Sequence, residues 1–167
     1  MSSTRWSADD AVSHLYAAHY ASLVRLGTLL LRDQGRAEEV VQDCFVAMHG
    51  RWGRLRDPDK ALAYLRAAVV NRSRSALRRV AVAERHRPDP LRDVDSAETT
   101  ALAHADRAAL LAALAQLSTR QREVLVLRYY LDLSEADIAA TLGISRGAVK
   151  THSSRGISAL RTSWERS

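Results

Sequence analysis

The chain has 167 residues, 47% of them hydrophobic, with a net charge of +6 and a single cysteine. Nearly half apolar, it can bury a core and is not a disordered polymer, and its length suits one domain or two small helical ones. One cysteine excludes an internal disulfide and a cysteine-based metal site. No apolar run has the length of a signal peptide or membrane span, so a soluble cytoplasmic protein without membrane insertion is expected.

Three prolines, seven glycines and no alternating strand pattern predict an all-α chain. The first helix is expected from Asp10 to Leu31, with Val12, Leu15, His19, Leu23, Leu26 and Leu30 along one stripe and an end at Asp33-Gln34-Gly35. A second, Arg36 to Trp52, turns Val41, Phe45, Met48 and Trp52 inward, with Cys44 as a small buried hydrophobe. Its other side carries Glu38, Glu39, Gln42 and Asp43. An acidic face is commonly only solvated, but it stands out in a basic protein. Arg54, Leu55, Arg56 and Asp57 form a loop, and Pro58 suits the first turn of a third helix reaching about Val82. That helix carries Leu62, Leu65, Val69 and Leu77 inward and Arg72, Arg74, Arg78 and Arg79 in its second half. Residues 71–87 hold six arginines against one glutamate, a run that repels itself unless something anionic lies against it.

From Arg85 to Thr99 two prolines and several aspartates mark a linker. Helix returns over Thr100 to Leu117, with Leu102, Ala105, Ala109, Leu110, Leu114 and Leu117 expected inward. Ser118 with Gln121 reads as a capping box opening a helix through Val124, Leu127 and Tyr130. Ser134 then caps a short helix bearing Ile138, Ala139 and Leu142, Gly143 ends it, and Ser145 caps the last helix, with Val149, Ser153, Ile157 and Leu160 inside. Small Ala139 at the crossing, Gly143 at the turn and Val149 as the plug make this a helix-turn-helix. The outward face of the last helix shows Arg146, Lys150, Thr151, Ser154 and Arg155, cations and short hydroxyls suited to phosphates and guanine edges. The expected division is a helical domain over 10–84, a flexible linker over 85–99 and a helix-turn-helix domain over 100–163.

The six histidines are scattered, and there is neither a HExxH motif nor a Gly-rich phosphate loop. The residues make no case for an enzyme or a cofactor. A nucleic-acid enzyme would need Glu38, Glu39 and Asp43 as a metal-binding cluster, and a helix face shared with Gln42 suits docking better.

The segments AEEVVQDCFVAMHGRW (37–52), ALAYLRAAVVNRSRSALRR (61–79) and the helix-turn-helix stretch 117–161 together resemble an extracytoplasmic-function sigma factor, a promoter-recognition subunit of bacterial RNA polymerase. The third segment is shared with other regulators; the first two make the resemblance specific. The family implies that Glu38, Glu39, Gln42 and Asp43 dock on core polymerase. It implies that Arg54, Leu55, Arg56 and Asp57 form a specificity loop for the minus-ten element, with Asn71 beside an extruded base and Arg72, Arg74, Arg78 and Arg79 on phosphates. Lys150, Thr151, Ser154 and Arg155 would read the minus-thirty-five element. Many relatives carry Trp where this chain has Tyr64 and Phe near Leu55, which implies weaker strand-opening contributions or reliance on the captured base rather than on stacking. Control would come from a separate anti-sigma factor or from expression level. The alternative is a freestanding helix-turn-helix regulator that binds symmetric DNA sites as a dimer.

Overall fold

The computed structural model describes residues 6–84 and 101–166, so the expected linker lies outside the described residues. It is all-α: α1 (Ala8–Leu31), α2 (Gln34–Arg51), α3 (Ala61–Glu84), α4 (Ala101–Ala115), α5 (Thr119–Tyr129), α6 (Glu135–Leu142) and α7 (Arg146–Glu165). Short 3-10 turns at Trp52–Arg54 and Pro58–Lys60 lead from α2 into α3.

Capping decides the boundaries. The Ser7 hydroxyl accepts the Asp10 N–H at 3.2 Å, which starts α1 two residues before the expected Asp10. At its other end Arg32 adopts φ 61 and donates its N–H to Thr28 O. Asp33 then accepts the Arg36 N–H at 3.1 Å and opens α2. Gln34 and Gly35, expected in the break, therefore belong to the first turn of α2. A capping aspartate makes a flexible glycine unnecessary there. Helix α2 runs back along α1, so its end meets the start of α1: Trp52 Nε1 donates to Trp6 O at 3.2 Å, and His49 pairs with Asp9 at 2.6 Å.

Leu23, Leu26 and Leu30 of α1, Val41, Cys44 and Met48 of α2, and Leu65, Val69 and Val70 of α3 fill the core of the first half. Burial pushes the Cys44 thiol up to about 11, with Asp43 adding to the shift and Arg72 opposing it. About one thiol in ten thousand is then ionised at pH 7, so alkylation of the folded chain by iodoacetamide should be slow and should accelerate sharply in urea. The unfolded chain loses its proton first as pH rises through the ordinary value of 9.0, so Cys44 favours folding below that pH and opposes it progressively toward 11.

In the second half, the Ser118 hydroxyl accepts the Gln121 N–H while Gln121 Oε1 accepts the Ser118 N–H, both at 3.2 Å. This is the expected capping box. Helix α5 is buried all round: every residue from Arg122 to Leu127 is covered. Helix α4 departs from expectation. Leu102 and Leu110 are 74% and 51% exposed, and only its end is covered, by Leu114 and Leu117. Its apolar stripe lies mostly outside the core, and Leu110 lines an open groove facing α1. Gly156 of α7 lets the last helix cross α5 closely, since a Cβ there would sit 2.9 Å from Leu125 Cδ1. The two halves are not separate in this structure. Helix α5 packs on α1, α6 packs on α3, and one continuous apolar cluster runs from Leu23 to Val149.

Candidate nucleic-acid and protein interfaces

The Ser134 and Ser145 hydroxyls accept the N–H groups of Asp137 and Ala148, both at 3.1 Å, and so cap α6 and α7. Between the helices Gly143 takes φ 67, and its N–H and that of Ile144 both reach Ala139 O. Val149 is 1% exposed at the crossing and Ile138 is fully buried beneath it. The expected helix-turn-helix is present. Opposite this buried face Arg146, Lys150, Thr151, Ser154 and Arg155 are all exposed on one side of α7. Thr151 Oγ1 donates to Gly147 O at 3.0 Å, which leaves its lone pairs and methyl outward. Lys150 Nζ lies 3.9 Å from Glu135, a loose exposed pair that a phosphate can displace.

A second cationic surface lies on α3. Tyr64, Asn71 and Arg78 follow one another at seven-residue intervals, so they stand in one row about 10 Å apart on the side opposite Leu65, Val69 and Leu62. Asn71, Arg72, Arg78 and Arg79 are exposed, with Arg72 and Arg79 forming a neighbouring row. Tyr64 is half-buried, and its hydroxyl accepts Arg51 Nη1 at 2.7 Å, which fixes the ring at the head of the row. In the preceding loop the four singled-out residues divide by role. Arg54 and Arg56 are exposed, whereas Leu55 packs against the core. The Asp57 carboxylate accepts the Asp59 N–H at 3.0 Å and caps the turn at Pro58. Arg74 is different again. It is drawn to the edge of α3 and held by Glu123 of α5 at 2.7 Å.

On α2, Glu39, Gln42 and Asp43 are exposed beside Val46, which is 72% exposed. Neither Glu39 nor Asp43 forms an ion pair with a described residue. Glu38 sits apart from them: it accepts Gln34 Nε2 at 3.2 Å and lines a groove of about 630 Å³ between α1 and α4. Among the described residues no group of three or more His, Cys, Asp or Glu side chains could hold a metal ion. No described helix is long and apolar enough to cross a membrane.

Sequence reasoning missed Arg122 and Glu123, which are 5% and 2% exposed. Arg122 donates to three carbonyls: Leu114 O at 2.9 Å, Leu117 O at 3.2 Å and, across the seam between the halves, Leu30 O of α1 at 3.1 Å. Burial lowers its guanidinium pKa, neighbouring Arg32 lowers it further, and Glu123 opposes both. The signal that could have found the pair is VLVL directly after it. Four successive apolar residues on a helix imply burial on every side, charged neighbours included.

Comparison with known proteins places these surfaces in a family. Residues 15–82 match the model of sigma-70 region 2, and residues 107–160 that of sigma-70 region 4. The RNA polymerase sigma-E factor of Streptomyces avermitilis is 35% identical over 144 residues, covering 86% of this chain and 79% of that protein. The ECF RNA polymerase sigma factor SigM of Mycobacterium tuberculosis is 30% identical over 145 residues, covering 87% and 72%. The solved structure of CnrH in complex with the cytosolic domain of CnrY superposes with a TM-score of 0.70 at 26% identity, over 97% of each chain. A freestanding helix-turn-helix regulator would account for the region 4 match but not for the region 2 match, and only the two together span both cationic surfaces. The chain belongs to the extracytoplasmic-function family of RNA polymerase sigma factors.

Proposed function

We propose that this chain brings core RNA polymerase to promoters, where α7 reads the minus-thirty-five element, α3 grips and helps open the minus-ten element, and α2 docks on the polymerase. The observation that carries this reading is the placement of two exposed cationic faces on opposite halves of one chain, with an acidic ridge on a third helix whose Glu39 and Asp43 pair with no described residue. Arg146, Lys150, Thr151, Ser154 and Arg155 supply base-edge and phosphate contacts in a major groove. The amide of Asn71 offers a donor and an acceptor to an unstacked base, between Tyr64 and Arg78 in the same row. Arg54 and Arg56 approach the strand from the loop that Leu55 and Asp57 shape, and Arg72, Arg74 and Arg79 add phosphate contacts. Glu39, Gln42 and Asp43 form the docking ridge, and Glu38 borders it from the groove.

The parts act by binding rather than catalysis and require no cofactor, in whichever compartment holds the polymerase. The units are a polymerase- and minus-ten-binding domain over 10–84, a connection over 85–99 and a helix-turn-helix domain over 100–163. Two modest DNA-binding units on one chain raise each other's effective concentration once polymerase fixes their spacing. A separate anti-sigma factor is the expected negative partner, as CnrH is solved bound to the cytosolic domain of CnrY.

The test is run-off transcription on genomic fragments with core polymerase, beside co-elution of the two proteins. Promoter-directed transcripts and a stable complex are expected. Tight dimeric binding to a symmetric site without polymerase would refute the proposal. Glu39→Lys with Asp43→Lys should weaken the polymerase complex by about tenfold or more, because each reversal turns an attraction into a repulsion. Unchanged co-elution would remove α2 as the docking surface. Asn71→Ala should reduce permanganate reactivity of melted thymines far more than it reduces closed-complex binding; an equal loss in both assays would rule out a role at the extruded base.

A further inference from the structure

The seam between the halves is closed through a residue that the DNA needs. Arg74 stands at the edge of the cationic face of α3, yet its Nε and Nη2 both donate to Glu123 Oε2, at 3.1 and 2.7 Å. Glu123 belongs to α5, in the other half of the chain. The neighbouring Arg122 crosses the same seam to Leu30 O at 3.1 Å. To a guanidinium, a carboxylate and a backbone phosphate are the same kind of target, anionic and rich in acceptors. Arg74 cannot hold both.

The packed arrangement also conflicts with the length of a promoter. Twenty-five base pairs separate the minus-ten and minus-thirty-five positions, roughly 85 Å at about 3.4 Å per pair. A compact chain of this length has a radius of gyration of about 15 Å, hence a diameter of about 40 Å. Closed, the molecule reaches one element. Both elements are reached only when α5 leaves α1 and α3.

We propose that the Arg74–Glu123 pair, aided by the bond from Arg122 to Leu30, is an autoinhibitory latch. Glu123 occupies Arg74 in place of a promoter phosphate and holds the free chain closed until polymerase and DNA part the halves. The consequence for DNA rests on the promoter reading above; the closure itself does not.

The seam is built to open. Both bonds from Arg74 fall on one oxygen, while among the described residues Glu123 Oε1 accepts no hydrogen bond and meets only Arg120 Nη1, at 3.5 Å. Ser73, 1% exposed in the same seam, has no hydroxyl hydrogen-bond partner among the described residues either. A buried ion pair with unmet acceptors sets which surfaces meet while adding little net stability, so competing phosphates can displace it.

The test uses the full chain carrying Glu123→Gln, which keeps the side-chain shape, with circular dichroism to verify helix content. Small-angle scattering should find the wild type compact, at about 15 Å, and the variant expanded by several ångströms. Without polymerase the variant should bind a labelled minus-ten oligonucleotide roughly threefold tighter or more, as the competent fraction rises from a minority toward unity. Arg74→Gln should expand the chain equally but gain no DNA affinity. Exchanging the charges, Arg74→Glu with Glu123→Arg, should restore compactness. The latch is overturned if both single variants stay as compact as the wild type, or if the expanded Glu123→Gln chain binds DNA no better. If the scattering behaves as expected while the wild type directs no transcription in the run-off assay, the closure stands and the promoter reading fails.

Discussion

Replacing Arg122 with alanine is expected to cost about 3–5 kcal/mol of folding stability, the range for breaking a buried charged network by removing one partner. The side chain satisfies Leu114 O, Leu117 O and Leu30 O at 2.9–3.2 Å. Leu114 O and Leu117 O close the end of α4; Leu114 O also accepts the Leu117 N–H at 3.2 Å, whereas Leu117 O lies past the last helical turn. Alanine would strip the guanidinium from all three, leaving Leu114 O only the Leu117 N–H, and would leave Glu123 with one cation fewer beside it. Arginine is protonated at any ordinary pH despite the lowering by burial, so the loss should be nearly independent of pH between about 6 and 9. Urea denaturation of wild type and variant measures it, and a thermal midpoint lowered by about 10 °C should accompany it. Arg122→Lys should recover only a fraction, since an ammonium cannot fork to carbonyls on two helices. A loss below about 1 kcal/mol would show that water replaces the guanidinium without penalty, and the seam would then be far wetter than its burial implies.

The second large effect concerns DNA. Lys150→Ala combined with Arg155→Ala should weaken binding to a promoter fragment carrying the minus-thirty-five element by about 2–4 kcal/mol, roughly thirtyfold to a thousandfold. The salt dependence should flatten by about two charges if both side chains sit on phosphates. A flattening near zero with a changed sequence preference would place them on base edges instead. The fold should be unaffected. Lys150 loses only a 3.9 Å pair with Glu135 at a site where its side chain is 69% exposed, an interaction worth at most about 1 kcal/mol. Polymerase co-elution should likewise be unchanged, because α2 lies on the other half of the chain. If promoter binding survives the double substitution, α7 is not the reading helix.

The contrast between these two predictions separates what the sequence carries from what the tertiary structure adds. The helix-turn-helix was legible because its signals are local. Ser134, Gly143 and Ser145 act on backbone groups within four residues, and the alternation of Val149 with Lys150, or of Gly156 with Arg155, follows from the 3.6-residue period alone. The Tyr64–Asn71–Arg78 row and the acidic ridge of α2 were legible for the same reason. The break at Asp33 was misplaced by two residues because a cap and a glycine signal the same boundary, and here the cap prevailed.

Everything that depends on which helices meet was hidden. The stripe of α4 has correct helical spacing, yet Leu102 and Leu110 remain exposed, because periodicity names a face without naming a partner. Arg74 reads in sequence as one of a run of free cations, and only the approach of α5 turns it into half of a buried pair. Arg122 and Glu123 look like ordinary surface charges until α1, α3 and α4 close over them. The sequence by itself determined the helices, their caps and the faces that can touch nucleic acid, since those follow from interactions within one or two turns. Only the tertiary structure decided which charges are withdrawn from solvent and bound across the seam, because burial is a property of contacts between segments far apart in the chain.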